Sequence, residues 1–149
     1  MSSASIKKII PCKKKDLISM VLDIEKYPEF VPWCIAGKIH EKNESEDLIE
    51  IKGDLKVGKK FLNATYTSLV LYYKEKDKIL VTNIDGPLKH LQNEWRFKEI
   101  NNQTQLEFDI DFELKNNLLN TIMKKSFNLG LNKIADAFEK RAIHLFKKV

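Results

Sequence analysis

The sequence is short of everything that would place it in a membrane or give it covalent chemistry. No apolar run approaches the roughly 18 residues that a transmembrane helix requires. The opening Met1-Ser2-Ser3-Ala4-Ser5-Ile6-Lys7-Lys8 lacks the apolar centre of a signal peptide. The expected location is the cytoplasm, with peripheral contact at the inner membrane. Two cysteines, Cys12 and Cys34, form neither a redox pair nor a zinc-ligand pattern, so two free thiols in a reducing compartment are expected. His40, His90 and His144 are scattered without ligand spacing, and no metal site or catalytic cofactor is implied. No nucleophile stands beside a partnered base, so an enzyme is not expected. No RNA-reading motif occurs and stacking aromatics do not interleave with the basic residues, which speaks against RNA contact, and no sequence-specific DNA binding is expected.

With 149 residues, 43% of them apolar and 32% charged, the chain suits one domain, 1–149, with one core. Its net charge of +5 is uneven. Lys115 to Val149 carries eight Lys or Arg against two Asp or Glu, a surplus of six. That surplus suits an anionic membrane surface, RNA, or a solvated helix face that keeps the protein soluble.

Ser3 to Ile10 alternates weakly and reads as a first strand closed by Pro11. Asp16 to Ile24 follows with Leu17, Val21 and Ile24 at helical spacing. In Tyr27-Pro28-Glu29-Phe30-Val31-Pro32-Trp33 two prolines restrict the backbone to a helical turn plus loop. The segment either caps one end of the core or forms a lip at the lipid interface. Strand signals then come in close succession at 35–41, 48–57, 61–73, 78–84, 88–100 and 103–114. The breaks between them are short enough for hairpins, which favours an antiparallel meander. In the last strand Leu106, Phe108, Ile110, Phe112 and Leu114 alternate with Gln105, Glu107, Asp109, Asp111 and Glu113. Those carboxylates share a wet outer face, where they stay ionised.

From Leu118 to Lys147 nothing breaks helical spacing. Leu119, Met123, Phe127, Leu131, Ile134, Phe138, Ala142 and Leu145 recur at three or four residues, giving a helix of roughly 45 Å. Gly130 beside this stripe makes room for something, either a bulky strand residue or a ligand. The architecture is α+β: a curved antiparallel sheet of about six to seven strands around a long C-terminal helix, with one or two short helices after the first strand. Where curved sheet and straight helix diverge, an apolar cavity can remain. An apolar guest entering it recovers roughly 0.8 kcal/mol per CH₂. Candidate lining residues are Leu91, Asn93 and Trp95, then Phe108 and Phe112, with Met123, Phe127, Gly130, Ile134 and Phe138 from the helix. Tyr27, Phe30, Val31, Pro32 and Trp33 are candidates at the mouth. Asn93, the polar residue on the face of Leu91, Trp95 and Phe97, either bonds a ligand carbonyl or satisfies a backbone group at a bulge.

Several segments taken together are recognisable: Tyr27 to Cys34, Tyr66-Thr67-Ser68, Gly86-Pro87 with Leu91, Trp95 and Phe97, Phe108 to Glu113, and Ala137 to Ala142. In order and spacing they closely resemble the coenzyme Q-binding START-domain family over nearly the whole chain. The resemblance implies a helix-grip fold of the START/Bet v 1 kind and adds Tyr66 to the candidate pocket. It also implies a polyprenyl quinone, chiefly ubiquinone, as the bound ligand of a lipid chaperone serving respiration or quinone biosynthesis. Bacterial members also carry the label of the RatA toxin family, which implies the large ribosomal subunit as a partner. Leu88 after Gly86-Pro87 and Lys59 after Gly58 stand where the family commonly has aromatics, a difference that bears on the pocket and its mouth.

Overall fold

The computed structural model describes residues 2–59 and 62–146, apart from the side chains of residues 2, 59, 62, 119, 122, 123, 125 and 126. Strand β1 (Ser2–Ile10) leads into helix α1 (Lys14–Leu22) and a 3-10 turn (Ile24–Glu29). Six strands follow: β2 (Cys34–Glu44), β3 (Leu48–Lys59), β4 (Leu62–Tyr73), β5 (Lys78–Asp85), β6 (Leu88–Ile100) and β7 (Gln103–Leu114). Helix α2 (Asn117–Phe146) ends the description. The expected beginning of the third central strand at Phe61, and the expected helix end at Lys147, lie outside the described residues.

One antiparallel sheet orders the strands β1-β7-β6-β5-β4-β3-β2. The hairpin meander from β2 to β7 is thus closed by β1 returning against β7, in register from Ser2 opposite Phe112 to Ile10 opposite Thr104. Strands β1 and β2 are consecutive in the chain yet occupy opposite edges. The segment between them, α1 and the 3-10 turn, must therefore cross the concave face. It can do so closely because glycines clear its path. A Cβ on Gly37 would overlap the backbone carbonyl of Ile24, and one on Gly53 would overlap the Ile24 side chain.

Register sorts the concave face into cross-strand rows, since directly paired residues share a face. Ile49, Tyr72, Ile79, Trp95, Phe108 and Ile6 form one row. Ile51, Val70, Val81, Asn93, Ile110 and Ala4 form the next. The apolar period of β7 is matched by burial of Leu106, Phe108 and Phe112. On α2, Leu131, Phe138 and Ala142 are buried, as their spacing predicts, while Leu145 is 47% exposed. The stripe runs on to Phe146, partly buried against the core, so Leu145 lies beside it rather than on it.

The outer face is held by charge. Arg96 on β6 meets Glu107 at 3.2 Å, Asp109 at 2.7 Å and Glu94, which also takes Lys78 at 2.7 Å. Hydrogen bonds from Lys78 and Arg96 hold the Glu94 carboxyl below its ordinary value. On β7 the Arg96 hydrogen bond holds Glu107 below its ordinary value, and hydrogen bonds from Ser5 and Arg96 do the same for Asp109, so this cluster is a cross-strand structural lattice with no proton to offer near neutrality.

Candidate functional site

The candidate site lies on the concave face of the sheet, where α2 packs. One stretch of it is closed by aromatics. Phe138 of α2 meets Tyr27, Phe30 and Trp95 with ring centroids 5.4, 5.1 and 5.3 Å apart, and Trp95 meets Phe108 at 4.5 Å. These edge-on contacts suit the ring quadrupoles. Tyr27 donates its hydroxyl to the Val21 carbonyl, and burial pushes that phenol far above its ordinary value. The segment from Tyr27 to Trp33 is thus seated on the core. Val31 packs against the same cluster, and Pro32 lines an outer groove.

Trp33 adopts φ 65°, a left-handed conformation that a bulky side chain rarely takes. Its carbonyl accepts the Gly58 amide at 2.9 Å, which ties this turn to β3. The indole lies 3.6 Å from where a Cβ on Gly130 would stand. Gly130 therefore faces Trp33, a partner that neither the strand nor the ligand expectation named.

Beyond the aromatic cluster the face changes. Phe127 of α2 packs against Phe112 with ring centroids 4.6 Å apart and planes tilted by 53°, and Ile134 packs at the core's margin. The side chain of Met123 lies outside the described residues. Between Trp95 and Leu91, Asn93 is half-buried and its Oδ1 is buried without a hydrogen-bond partner among the described residues. Ser68 on β4, 6% exposed, has a hydroxyl in the same condition. Asn83 lies opposite Ser68, but its amide is committed, accepting the Leu91 amide at 2.9 Å and donating to the Leu88 carbonyl at 3.2 Å. That shape-holding role for an asparagine, which the sequence allowed for Asn93, falls to Asn83. Tyr66, two residues from Ser68, has its phenol pushed up to about 12 by burial and by the nearby Cys34.

Among the described residues, no side chain in this stretch is prepared as a nucleophile. Burial pushes the Cys12 thiol up to about 11 and raises Cys34 as well, which disfavours either thiolate. A Thr67-Asp54-His40 chain exists, with His40 Nε2 at 2.8 Å from Asp54 and the Thr67 hydroxyl donating to the same carboxylate. The carboxylate stands between the other two, so the imidazole does not touch the hydroxyl it would have to deprotonate. The concave stretch can instead bind a mostly apolar, uncharged molecule with a few hydrogen-bonding atoms.

A second concavity, of about 510 Å³, lies outside the grip between Phe30, Pro32 and the outward face of α2. Lys133, Lys140, Arg141 and His144 line it with Asp136. Arg141 lies over the Phe30 ring at 5.1 Å and bonds Glu29 at 2.7 Å. This bond holds the Glu29 carboxyl below its ordinary value.

Residues 11–139 match the pattern of the family of polyketide cyclase / dehydrase and lipid transport proteins. The chain is 34% identical over 143 residues to the ribosome association toxin RatA of Rickettsia prowazekii, covering 94% of this chain and 95% of that one. It is 30% identical to the mitochondrial coenzyme Q-binding protein of Dictyostelium discoideum, covering 86% of this chain and 62% of the longer relative. Among solved structures, an 18 kDa protein of Caulobacter crescentus superposes with a TM-score of 0.79 at 29% identity, covering 97% and 98% of the two chains. The Zhui aromatase/cyclase of Streptomyces shares the fold, at a TM-score of 0.77 and 15% identity, covering 94% of this chain and 92% of that one.

Proposed function

This chain belongs to the polyketide cyclase / dehydrase and lipid transport family, and from that premise we propose that it binds and chaperones a polyprenyl quinone, ubiquinone or a close relative, without transforming it. The concave stretch under α2 carries this reading: apolar walls, two neutral polar side chains with unused hydrogen-bonding atoms, and no activated nucleophile or base. Kinship with a coenzyme Q-binding protein supports the choice of ligand. On this reading residues 1–149 act as one unit in support of respiratory electron transport or ubiquinone biosynthesis. Peripheral contact with an anionic inner-membrane surface would run through the basic face of α2. Solvent extraction of the protein purified from a quinone-producing host should release close to one quinone per chain. Recovery of none, together with failure to bind added quinone, would refute the proposal.

A second reading is supported by the full-length kinship with RatA and by the outer groove with Lys133, Lys140 and Arg141. It is association with the large ribosomal subunit, which would interfere with subunit joining. Co-sedimentation with ribosomes should then fall steeply with salt, as phosphate contacts do, and Lys133→Glu with Lys140→Glu should abolish it. No co-sedimentation at low salt removes this reading.

A further inference from the structure

We infer that Ser68 and Asn93 together read the two oxygens of the ligand's ring, one at each end, while Asn83 between them holds the sheet's shape. The inference rests on the quinone reading above and specifies its head-group site. The two residues lie on the same face, because Ser68 pairs with Asn83 while Val81, two residues before Asn83, pairs with Asn93. They are two strands and one row apart, roughly 12 Å between Cα atoms from the spacings of a sheet. A six-membered ring with oxygens at opposite positions, plus a hydrogen bond at each end, spans about 11 Å. A concave face draws side-chain tips together, so the hydroxyl and the amide reach inward to such a ring. Ile24, set over Gly53, which pairs with Ser68, forms the wall on that side. Trp95 and Leu91 flank Asn93 along β6, and both are buried.

The chemistry of the pair is as informative as its spacing. A buried polar atom without a partner is destabilising, and here two occur on one face. Neither is charged, so the site suits a neutral guest. The Ser68 hydroxyl can donate or accept, whereas the unpartnered atom of Asn93 is Oδ1, an acceptor; a ring hydroxyl can donate to it directly, and a ring carbonyl is served when the amide turns to present Nδ2. The same site would hold the oxidised and the reduced head group, as a carrier that does not alter its cargo requires.

The test compares a short-tailed ubiquinone with the alkylbenzene of the same tail, which has no ring oxygens. The wild-type protein should prefer the quinone. Ser68→Ala and Asn93→Leu should each weaken quinone binding about tenfold, leave alkylbenzene binding unchanged, and leave the melting temperature of the ligand-free protein equal or higher. Wild-type quinone binding that both variants retain at full strength would overturn the ring-oxygen assignment alone. So would loss of quinone binding accompanied by a lower melting temperature and equal loss of alkylbenzene. A wild-type protein that binds no quinone would instead refute the functional reading beneath it.

Discussion

Two neighbouring stretches of the concave face, separated by one row of the sheet, are built to opposite rules. Around Trp95, Phe108 and Phe138 every ring has a ring beside it, and the one phenol there is satisfied by the Val21 carbonyl. Around Ser68 and Asn93 two buried polar atoms have no partner among the described residues. The first stretch is shaped by packing; the second carries the hydrogen-bonding atoms that the proposed ligand would use. Stability and binding are therefore separable in this fold, and substitutions in the two stretches should differ in sign as well as in size.

The largest effect is expected where the contrast is sharpest. Phe138→Ala removes the centre of the aromatic cluster and should lower unfolding free energy by about 3–5 kcal/mol in a urea titration. Gly37→Ala pushes a methyl into the Ile24 carbonyl and should destabilise by about 2–3 kcal/mol. In the second stretch, Asn93→Leu should leave stability unchanged or raise it by about 1 kcal/mol, because it removes an unmet hydrogen-bonding group. A large loss there would erase the contrast. Gly130→Ala falls between the regions. The added methyl meets the Trp33 ring at ordinary contact distance, 3.6 Å, so the gain in helix propensity should appear as about 0.5–1 kcal/mol of added stability.

The smallest expected effect concerns how α2 is tied down. Lys8 of β1 meets Asp136 at 2.9 Å and Glu139 at 3.1 Å, and its hydrogen bond holds the Asp136 carboxyl below its ordinary value. A depressed carboxyl contributes stability that is complete above the unfolded value of about pH 4 and is lost as pH falls through the lowered value. Acid titration of Asp136→Asn should therefore show a shallower loss of helix docking over that interval than wild type. An identical acid profile would show that Asp136 does not carry the tie.

The sequence revealed this architecture unevenly, for physical reasons. The boundaries of β6 and β7 were readable to the residue because the apolar period of β7 is unbroken and Asn101-Asn102, both at positive φ, form the turn between them. The segment Ile24–Glu29 is a 3-10 turn running through Pro28, longer than the single turn that its prolines suggested. Proline removes one amide from a short helix and leaves the rest able to form. The roles of Gly37 and Gly53 could not be read locally, since their partner Ile24 reaches them only after the chain crosses the sheet. Asn93 was visible as one polar residue in an apolar period. Ser68 was not, because a bulge between Thr67 and Ser68 obscures the register on which its facing depends, and serine in a strand carries no mark of burial.

On the proposed reading the second stretch is a binding surface for a neutral, mostly apolar molecule with ring oxygens. Calorimetric titration of the wild-type protein with short-tailed ubiquinone at several temperatures tests it most directly. The expected result is saturable one-to-one binding with a negative heat-capacity change, the mark of buried apolar surface. Absence of saturable binding at every temperature would contradict it.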